Sequence, residues 1–260
     1  MSQTIRYPEI LEIARREGKV TVEKLAERLG VTLQTIRRDL ADLAEAGQLE
    51  RVHGGAILPS GTVNIAYEER RRLYADEKMA MARECAAMIP EDCAIFLNIG
   101  TSTEAVATEL LHHRNLLVVT NNMNVANILA RNNNCEVIVT GGSLRQSDGG
   151  LIGEMTTAAI RQFKFDIGVI GCSAIDQDGD ILDFDLREVG VSQTILNQSR
   201  RAMLLADHSK FKRTAPARIG SLADIDTLLT DHPVGPALKT RCDAWQTQII
   251  QCPPTDKATR

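Results

Sequence analysis

The chain has 260 residues, 43% of them hydrophobic and 3% aromatic, so its buried cores must be built mainly from aliphatic side chains. No apolar run approaches the roughly 20 residues that span a bilayer, and the N-terminus lacks the pattern of a signal peptide, so we expect a cytoplasmic protein without membrane contact. The net charge of −4 excludes a surface that is basic throughout. Any DNA-binding surface must therefore be local.

Three short helices are predicted in the first part of the chain. Apolar residues at helical spacing predict a first helix over residues 7–17 that closes at Gly18. Thr21 is the expected N-cap of a second helix, which ends at Gly30, a residue that readily adopts the left-handed C-cap conformation. Thr32 follows almost at once as the N-cap of a third helix. Two short helices joined by a tight glycine turn are typical of a helix-turn-helix.

The third helix has one apolar face and one polar face. Ile36, Leu40 and Leu43 recur at i, i+4 and i+7, which predicts that this face packs into the core. The polar residues at its N-terminal end lie on another face of the helix, where they can contact DNA. Arg can bind guanine O6 and N7, Gln can bind adenine N6 and N7, and Thr suits phosphate or a thymine methyl group. These residues are Gln34, Thr35, Arg37 and Arg38.

A wing is predicted after the third helix. The segment QLERVHGGAILP predicts a short strand, a Gly54-Gly55 turn and a second strand, which would bring Arg51 and His53 to sugar-phosphate or a minor groove. The alternatives are a small three-helix protein-interaction module or a solvated charged helix face. The predicted DNA-contacting residues are Thr32, Gln34, Thr35, Arg37, Arg38, Arg51 and His53.

A change in composition predicts the domain boundary near residue 60. The segment from Pro59 to residue 80 begins with Pro-Ser-Gly and continues with mixed charges, including three successive arginines at 70–72. Those arginines either contact phosphate or form a solvated helix face. We predict a DNA-binding domain over 1–58, a linker over 59–80 and an effector-binding sensor domain over 81–260.

From about residue 92, short β-branched strands alternate with amphipathic helices. Helices are predicted over 103–112, through 125–130 and over 185–199. This alternation predicts an α/β doubly wound domain with a parallel sheet. The predicted strands are CAIFLNI, LLVVT, CEVIVTGG, FDIGVIG and RAMLLAD.

Ligands of such sheets bind at the carboxyl ends of the strands, where this sequence places its most polar turns. The Gly100-Thr101-Ser102 turn opens a helix after the first strand, so its N–H and hydroxyl groups can cradle a phosphate or simply cap the helix. A later strand ends at Asp207 and offers the cation of Lys210. Together, these turns predict a small anionic polyol ligand. The other polar strand ends are Thr120-Asn121-Asn122, Thr140-Gly141-Gly142 with Arg145 beyond it, and Gly171-Cys172-Ser173.

Other patterns exclude common cofactors. The sequence lacks GxGxxG and GxxxxGK(S/T), so it indicates no dinucleotide or nucleoside triphosphate. Residues 112–113 are two histidines at a helix end, which we expect to face solvent rather than metal. Residues 176–180 carry three alternating aspartates but lack the glutamate of a calcium loop, which favours a turn. The six cysteines lack CxxC spacing and are expected to be reduced: Cys85, Cys93, Cys135, Cys172, Cys242 and Cys252.

Several of these motifs resemble one family. VTLQTIRRDLADL followed by RVHGGA is similar to the DeoR-type winged helix-turn-helix, over residues 6–58. The segments NIGTSTEAVATELL, VVTNNMNVANILA, GGSLRQSDGGLIGE, GCSAIDQDGDILDFDLREV and LLADHSKF resemble the sensor domain of DeoR-type repressors, to about residue 231. The resemblance implies that the TIRRDL helix enters the major groove and that the sensor domain is related in fold to ribose-5-phosphate isomerases.

The resemblance also implies a function. It suggests a repressor of glycerol catabolic genes that leaves double-stranded operator DNA when glycerol 3-phosphate binds. A homo-oligomer, dimer or tetramer, is expected because two half-sites of the operator are bound by two recognition helices. Two alternatives stay open: another sugar phosphate as effector, or a sugar-phosphate isomerase using residues such as Asp183. The implied phosphate contacts are Gly100, Thr101, Ser102 and Lys210, and the implied hydroxyl contacts or pocket walls are Asn121, Asn122, Arg145, Asp185 and Asp207.

Overall fold

The computed structural model describes residues 3–17, 19–57 and 67–254. The chain divides into two compact units, residues 1–73 and 74–260. Gly18 and residues 59–66 of the predicted linker lie outside the described residues. Within the described ranges, no helix combines the length and the apolar character needed to cross a bilayer.

The first unit is a winged helix-turn-helix, as predicted. Its three strands form an antiparallel sheet in the order β1-β3-β2. Ile36, Leu40 and Leu43 are almost fully buried in the core of this unit, which fixes the apolar face of the third helix. The elements are α1 (Gln3–Glu17), β1 (Lys19–Thr21), α2 (Val22–Leu29), α3 (Leu33–Glu45), β2 (Glu50–Val52), β3 (Gly55–Ile57) and α4 (Tyr67–Arg72).

The predicted caps of α2 and α3 are confirmed, whereas α1 begins at Gln3 rather than at residue 7. The hydroxyls of Thr21 and Thr32 accept hydrogen bonds from backbone N–H groups in the first turns of α2 and α3. Gly30 ends α2 with a φ of 62°, in the left-handed region that glycine adopts without strain. The wing turn lies at residues 53–54 rather than at Gly54-Gly55. Gly55 instead begins β3, where a Cβ would lie 1.8 Å from the Val20 carbonyl oxygen.

The second unit contains a sheet of seven parallel strands in the order β15-β14-β12-β9-β4-β5-β6. Its helices are α5 (Ala75–Ala87), α6 (Thr101–Glu109), α7 (Met123–Leu129), α8 (Glu154–Ile160), α9 (Leu186–Gln198) and α10 (Pro236–Trp245). Its strands are β4 (Ala94–Leu97), β5 (Leu116–Thr120), β6 (Cys135–Val139), β7 (Ser143–Arg145), β8 (Gly150–Ile152), β9 (Phe165–Gly171), β10 (Ala174–Ile175), β11 (Asp180–Asp183), β12 (Ser199–Leu205), β13 (Ala217–Ser221), β14 (Thr227–Thr230) and β15 (Gln248–Gln251).

Helices cover both faces of this sheet, which confirms the predicted doubly wound class. One face packs against α5, α6 and α7, and the other against α8, α9 and α10. Since all seven strands are parallel, their carboxyl ends meet at one edge, where the turns into α6, α7 and a 3-10 helix at His208–Lys212 begin. The fold therefore brings the predicted polar turns to one edge of the sheet.

Several elements had no clear sequence signal. The strands β14 and β15 extend the sheet, and the small pairings of β7 with β8 and of β10, β11 and β13 lie in segments for which the sequence analysis predicted no strand. The predicted aspartate turn is confirmed, because Asp176 Oδ1 accepts hydrogen bonds from the N–H groups of Asp178 and Asp180, each at 2.9 Å.

Candidate functional site

The N-terminal end of α3 presents the predicted DNA-contacting side chains. Gln34, Arg37 and Arg38 are exposed, and Thr35 is half-buried. The Thr32 hydroxyl lies 2.9 Å from the Thr35 hydroxyl and accepts from the Thr35 N–H at 3.2 Å, so the cap fixes the start of the helix. The N-terminus of a helix also favours phosphate, because its N–H groups carry partial positive charge.

The wing is attached to this helix. Arg51 in β2 is exposed, and its Nη1 donates a hydrogen bond to the Arg37 carbonyl oxygen at 3.2 Å. His53 lies in the exposed turn at the wing tip. The structure thus brings Arg37 and Arg51 together, while His53 extends beyond them.

A buried ion pair that the sequence analysis missed attaches α1 to α3. Arg6 Nε lies 2.6 Å from Asp39 Oδ2, and Arg6 Nη2 lies 2.9 Å from Asp39 Oδ1. The same two residues help to line a cavity of about 430 Å³ beside Gln34 and Arg38. Because Arg6 neutralises Asp39, the arginines on α3 and the wing form a locally basic face in a unit with little net charge.

Three neighbouring strands carry the predicted phosphate-binding residues. Strand β9 lies between β4 and β12, so Gly100–Ser102, which follow β4, and Lys210, which follows β12, flank the end of β9. Adjacent strands lie about 4.8 Å apart, so β4 and β12 are separated by about 10 Å. Gly171 ends β9 between them, and a Cβ there would have no heavy atom within 4 Å. We call this space above Gly171 the cleft.

One wall of the cleft is the N-terminus of α6. Gly100 is its N-cap, and no side chain makes a capping hydrogen bond there. The Thr103 hydroxyl donates back to the carbonyl oxygens of Asn98 and Gly100, at 2.6 and 2.8 Å. Ser102 is buried and Thr101 is half-buried. The first N–H groups of this helix therefore have no side-chain cap and suit an anion.

The opposite wall carries a lysine beside a buried carboxylate. Lys210 Nζ lies 3.9 Å from Asp207 Oδ2, and Ser209 donates its N–H and its hydroxyl to Asp207 Oδ1. Burial acts to raise the pKa of Asp207, but the charges of Lys210 and Lys78 and the hydrogen bonds from Ser209 outweigh it and lower the pKa. Asp207 is therefore ionised. Burial raises the pKa of the neighbouring Cys172 thiol to about 12, so that thiol stays protonated.

The remaining predicted effector residues hold neighbouring elements together. The guanidinium of Arg145 contacts Asp148 Oδ2 at 2.7 Å, Glu188 Oε2 at 2.7 Å and Asp185 Oδ2 at 3.3 Å. Burial alone lowers the pKa of Arg145, but Asp148 and Glu188 outweigh it and raise the pKa. Asp185 also caps α9 through the Arg187 N–H. These contacts join the β7–β8 hairpin to the start of α9.

The two asparagines after β5 make similar structural contacts. Asn121 Nδ2 donates to the Leu151 carbonyl oxygen at 3.1 Å. Asn122 Oδ1 caps α7, and its Nδ2 donates to Glu104 Oε1 at 3.2 Å. Gly100, Thr101 and Ser102 thus follow β4 and Asp207 and Lys210 follow β12, on either side of β9, whereas Asn121, Asn122, Arg145 and Asp185 connect the hairpin with α7 and α9.

Two features of this edge were missed in the sequence analysis. Among the described residues, Asn121 Oδ1 and Thr140 Oγ1 are buried without a hydrogen-bond partner, and they follow the paired strands β5 and β6. Buried polar atoms normally have a partner, so these two suit a ligand or a water molecule. Lys78 is buried on α5 at the spacing of Met81, Ala82 and Cys85. The position of this lysine within an apolar stripe was the signal that could have predicted its burial.

Comparisons with known proteins agree with both units. A family model described as the DeoR-like helix-turn-helix domain matches residues 6–62, and one described as the DeoR C terminal sensor domain matches residues 74–232. The glycerol-3-phosphate regulon repressor of Escherichia coli (strain K12) is 46% identical over 233 residues, which are 90% of this chain and 92% of that protein. Its Haemophilus influenzae counterpart is 45% identical, over 97% of this chain and 98% of that protein.

A more distant relative carries another name. The HTH-type transcriptional repressor CsqR of Escherichia coli (strain K12) is 38% identical over 94% of each chain. Among solved structures, ribose 5-phosphate isomerase from Methanocaldococcus jannaschii aligns with a TM-score of 0.40 and 11% identity, over 53% of this chain and 55% of that one. No activity follows from that likeness.

Proposed function

This chain belongs to the DeoR family of transcription regulators, and from that premise we propose that it represses genes of glycerol and glycerol 3-phosphate catabolism. Operator DNA is bound by the winged helix-turn-helix, and glycerol 3-phosphate bound in the cleft lowers the affinity for the operator. The name of the relatives that are 45–46% identical over most of the chain supports this choice of regulon.

The exposed face of α3 and the wing carries the DNA-binding part of the proposal. Arg37, Arg38 and Arg51 give positive charge for phosphate and guanidinium groups for guanine, while Gln34 offers an amide for adenine. We assign operator binding to residues 1–58 and effector binding to the unit over residues 74–260, because α5 packs against the sheet of that unit and carries Lys78. Operator DNA is in the cytoplasm of a bacterium, and we place the protein there.

The open space above Gly171 is the single observation that carries the effector part. By strand order it lies between the uncapped N-terminus of α6 and Lys210, and both groups can bind phosphate. Lys210 and Lys78 both lie close enough to Asp207 to lower its pKa, so this side of the cleft supplies positive charge for a phosphate. Asn121 Oδ1 and Thr140 Oγ1 are suited to accept hydrogen bonds from polyol hydroxyls.

We propose that the protein has no catalytic activity. The carboxylate that an isomerase mechanism would recruit at Asp183 is already occupied: its Oδ2 accepts from Ser173 Oγ at 2.8 Å, and its Oδ1 accepts the Phe184 N–H at 2.6 Å. A turnover assay with aldose and ketose phosphates tests this, and measurable turnover would refute it. A homodimer or tetramer is part of the proposal, because a pair of half-sites is read by a pair of recognition helices.

The identity of the effector has one specific competitor. CsqR, a repressor with a different name, is 38% identical to this chain, so the shared architecture does not by itself identify the effector. Another sugar phosphate is therefore the second candidate. A thermal-shift panel of glycerol 3-phosphate, fructose phosphates and tagatose phosphates separates the two. A larger shift with a sugar phosphate than with glycerol 3-phosphate would replace our choice of effector and leave the repressor assignment standing.

The decisive experiment is fluorescence anisotropy of the protein on DNA upstream of glycerol catabolic genes, at fixed salt because phosphate contacts make affinity salt-dependent. We expect specific binding and release by glycerol 3-phosphate. Glycerol and inorganic phosphate are the controls, since each carries only half of the effector. Binding without release would contradict glycerol 3-phosphate as the effector. The absence of specific binding would contradict the proposed repressor function.

A further inference from the structure

Two histidines and an aspartate converge on one point beside the cleft. His208 Nδ1 lies 2.6 Å from Asp231 Oδ2, and His232 Nδ1 lies 2.8 Å from the same oxygen. The two imidazole rings have centroids 4.6 Å apart. Three potential metal-ligand atoms, one from each residue, lie within 4.8 Å of one another.

The fold produces this arrangement through strand register. Strands β12 and β14 are parallel neighbours in which Leu205 is paired with Leu229, so the segments that follow them leave the sheet at the same edge. His208 begins the 3-10 helix after β12, and Asp231 follows β14 directly. The His208 N–H also donates to Asp231 Oδ1 at 2.6 Å, which fixes the orientation of the carboxylate.

Burial and charge prepare the three side chains for a cation. Asp231 is fully buried, His208 is 24% exposed and His232 is 59% exposed, so the site has a fixed anionic base and an open side toward solvent. Tyr74 packs edge-on against the His208 ring, with centroids 4.7 Å apart, and limits its rotation.

We propose that His208, Asp231 and His232 form a binding site for Zn²⁺ or a similar divalent transition-metal ion. Zn²⁺ and similar ions bind two imidazoles and a carboxylate more readily than Mg²⁺ or Ca²⁺ do, because Mg²⁺ and Ca²⁺ prefer oxygen ligands. Three protein ligands leave a coordination position for water or a further ligand. The ion takes the place of the Nδ1–H hydrogen bonds to Asp231, and each neutral imidazole then carries its single proton on Nε2.

Metal binding requires the two histidines to move. Ligand atoms at bonds of about 2.0–2.1 Å in a tetrahedral site lie about 3.3 Å apart, so each N–O separation must widen by about 0.5–0.7 Å, and the two imidazole nitrogens, now within 4.8 Å of each other, must come to the same spacing. His232 is the most exposed of the three and can supply most of that movement. The site is next to Lys210 on the same 3-10 helix, so a bound ion would also steady the turn that carries this lysine.

Calorimetric titration of Zn²⁺ into the full-length, untagged, chelator-treated protein tests the proposal without any effector or DNA. We expect one Zn²⁺ per chain and a Zn²⁺-dependent rise in melting temperature. His208→Ala and His232→Ala should each weaken binding by at least about tenfold. His112→Ala is the matched control, because His112 is exposed at a helix end away from the cluster, and it should bind as the parent does.

Folding is checked by comparing the metal-free melting temperatures of these variants. His232 is exposed, so His232→Ala should keep the parent value even if His208→Ala does not. The visible absorption of the Co²⁺ complex gives a second measurement, which should be lost in both variants. The absence of saturable Zn²⁺ binding, or equal binding by the parent and the two histidine variants, would overturn the metal site and leave Asp231 as an acceptor for two imidazoles.

Discussion

Arg6 of α1 and Asp39 of the recognition helix α3 form a buried, two-point ion pair, with separations of 2.6 and 2.9 Å. Asp39 is 1% exposed and Arg6 is 8% exposed. The hydroxyl of Tyr7, next to Arg6, donates to Asp42 at 2.6 Å and adds a second contact between the same helices. The first helix therefore sets the orientation of the helix that is proposed to bind DNA.

Removing one partner of this pair should destabilise the DNA-binding unit. We expect Asp39→Asn to lower its free energy of unfolding, because the charge-assisted hydrogen bonds from Arg6 Nε and Nη2 to the buried carboxylate would be weakened. Chemical denaturation of the full chain measures this, with hydrogen exchange used to monitor the unit over residues 1–73. The Arg6→Met/Asp39→Leu double variant should recover most of the loss. Equal stability of Asp39→Asn and the parent would contradict this role.

Arg37 provides the direct test of the DNA-binding face. Arg37→Ala should weaken operator binding by about 1–3 kcal/mol, or roughly fivefold to 150-fold, because a guanidinium on a base edge or phosphate is lost. The backbone carbonyl that accepts from Arg51 is retained. Anisotropy at fixed salt measures the change, and Lys24→Ala, an exposed cation on α2, is the control. Comparable losses in the two variants would indicate only a general charge effect.

Lys210 should make the repressor sensitive to the effector. Lys210→Ala should still bind the operator but should need at least about tenfold more glycerol 3-phosphate for release, because a charge-assisted contact with phosphate is lost. Lys212→Ala is the matched control, since Lys212 is an exposed lysine on the same 3-10 helix. Release of both variants at the parent's effector concentration would place the phosphate elsewhere.

Filling the cleft should block the effector without unfolding the protein. A methyl group at Gly171 would contact no heavy atom within 4 Å, so Gly171→Ala should keep or raise stability by about 0.4–1 kcal/mol. The same methyl group should weaken effector binding by about 1–3 kcal/mol through overpacking. Gly190→Ala in α9, which also has open space, is the control. Unchanged effector affinity in Gly171→Ala would show that the ligand does not occupy this space.

Thr140 should contribute to binding but not to folding. Its buried hydroxyl has no hydrogen-bond partner among the described residues, so Thr140→Val should leave stability nearly unchanged and should reduce effector affinity about threefold to tenfold. The neighbouring Thr120 is the opposite case, because its hydroxyl donates to the Leu97 carbonyl at 2.7 Å and accepts from the Asn122 N–H at 3.0 Å. Thr120→Val should cost about 1–3 kcal/mol of stability. Equal stability losses in both variants would refute the distinction.

The sequence by itself determined the elements that depend on a few neighbouring residues. The caps at Thr21 and Thr32, the end of α2 at Gly30 and the apolar face of α3 follow from local hydrogen bonds and from helical spacing, which are visible within a dozen residues. The strands of the sheet centre were equally clear, since a buried parallel strand is a short run of β-branched residues. The winged helix and the doubly wound domain could therefore be predicted.

Only the tertiary structure decided which distant residues meet. Arg6 and Asp39 are 33 positions apart, and His208 and Asp231 are 23 apart, so no spacing in the sequence indicates either pair. The three carboxylates that surround Arg145 also come from separate segments of the chain. Strand order and register set these contacts, and both depend on how whole layers pack rather than on any local pattern.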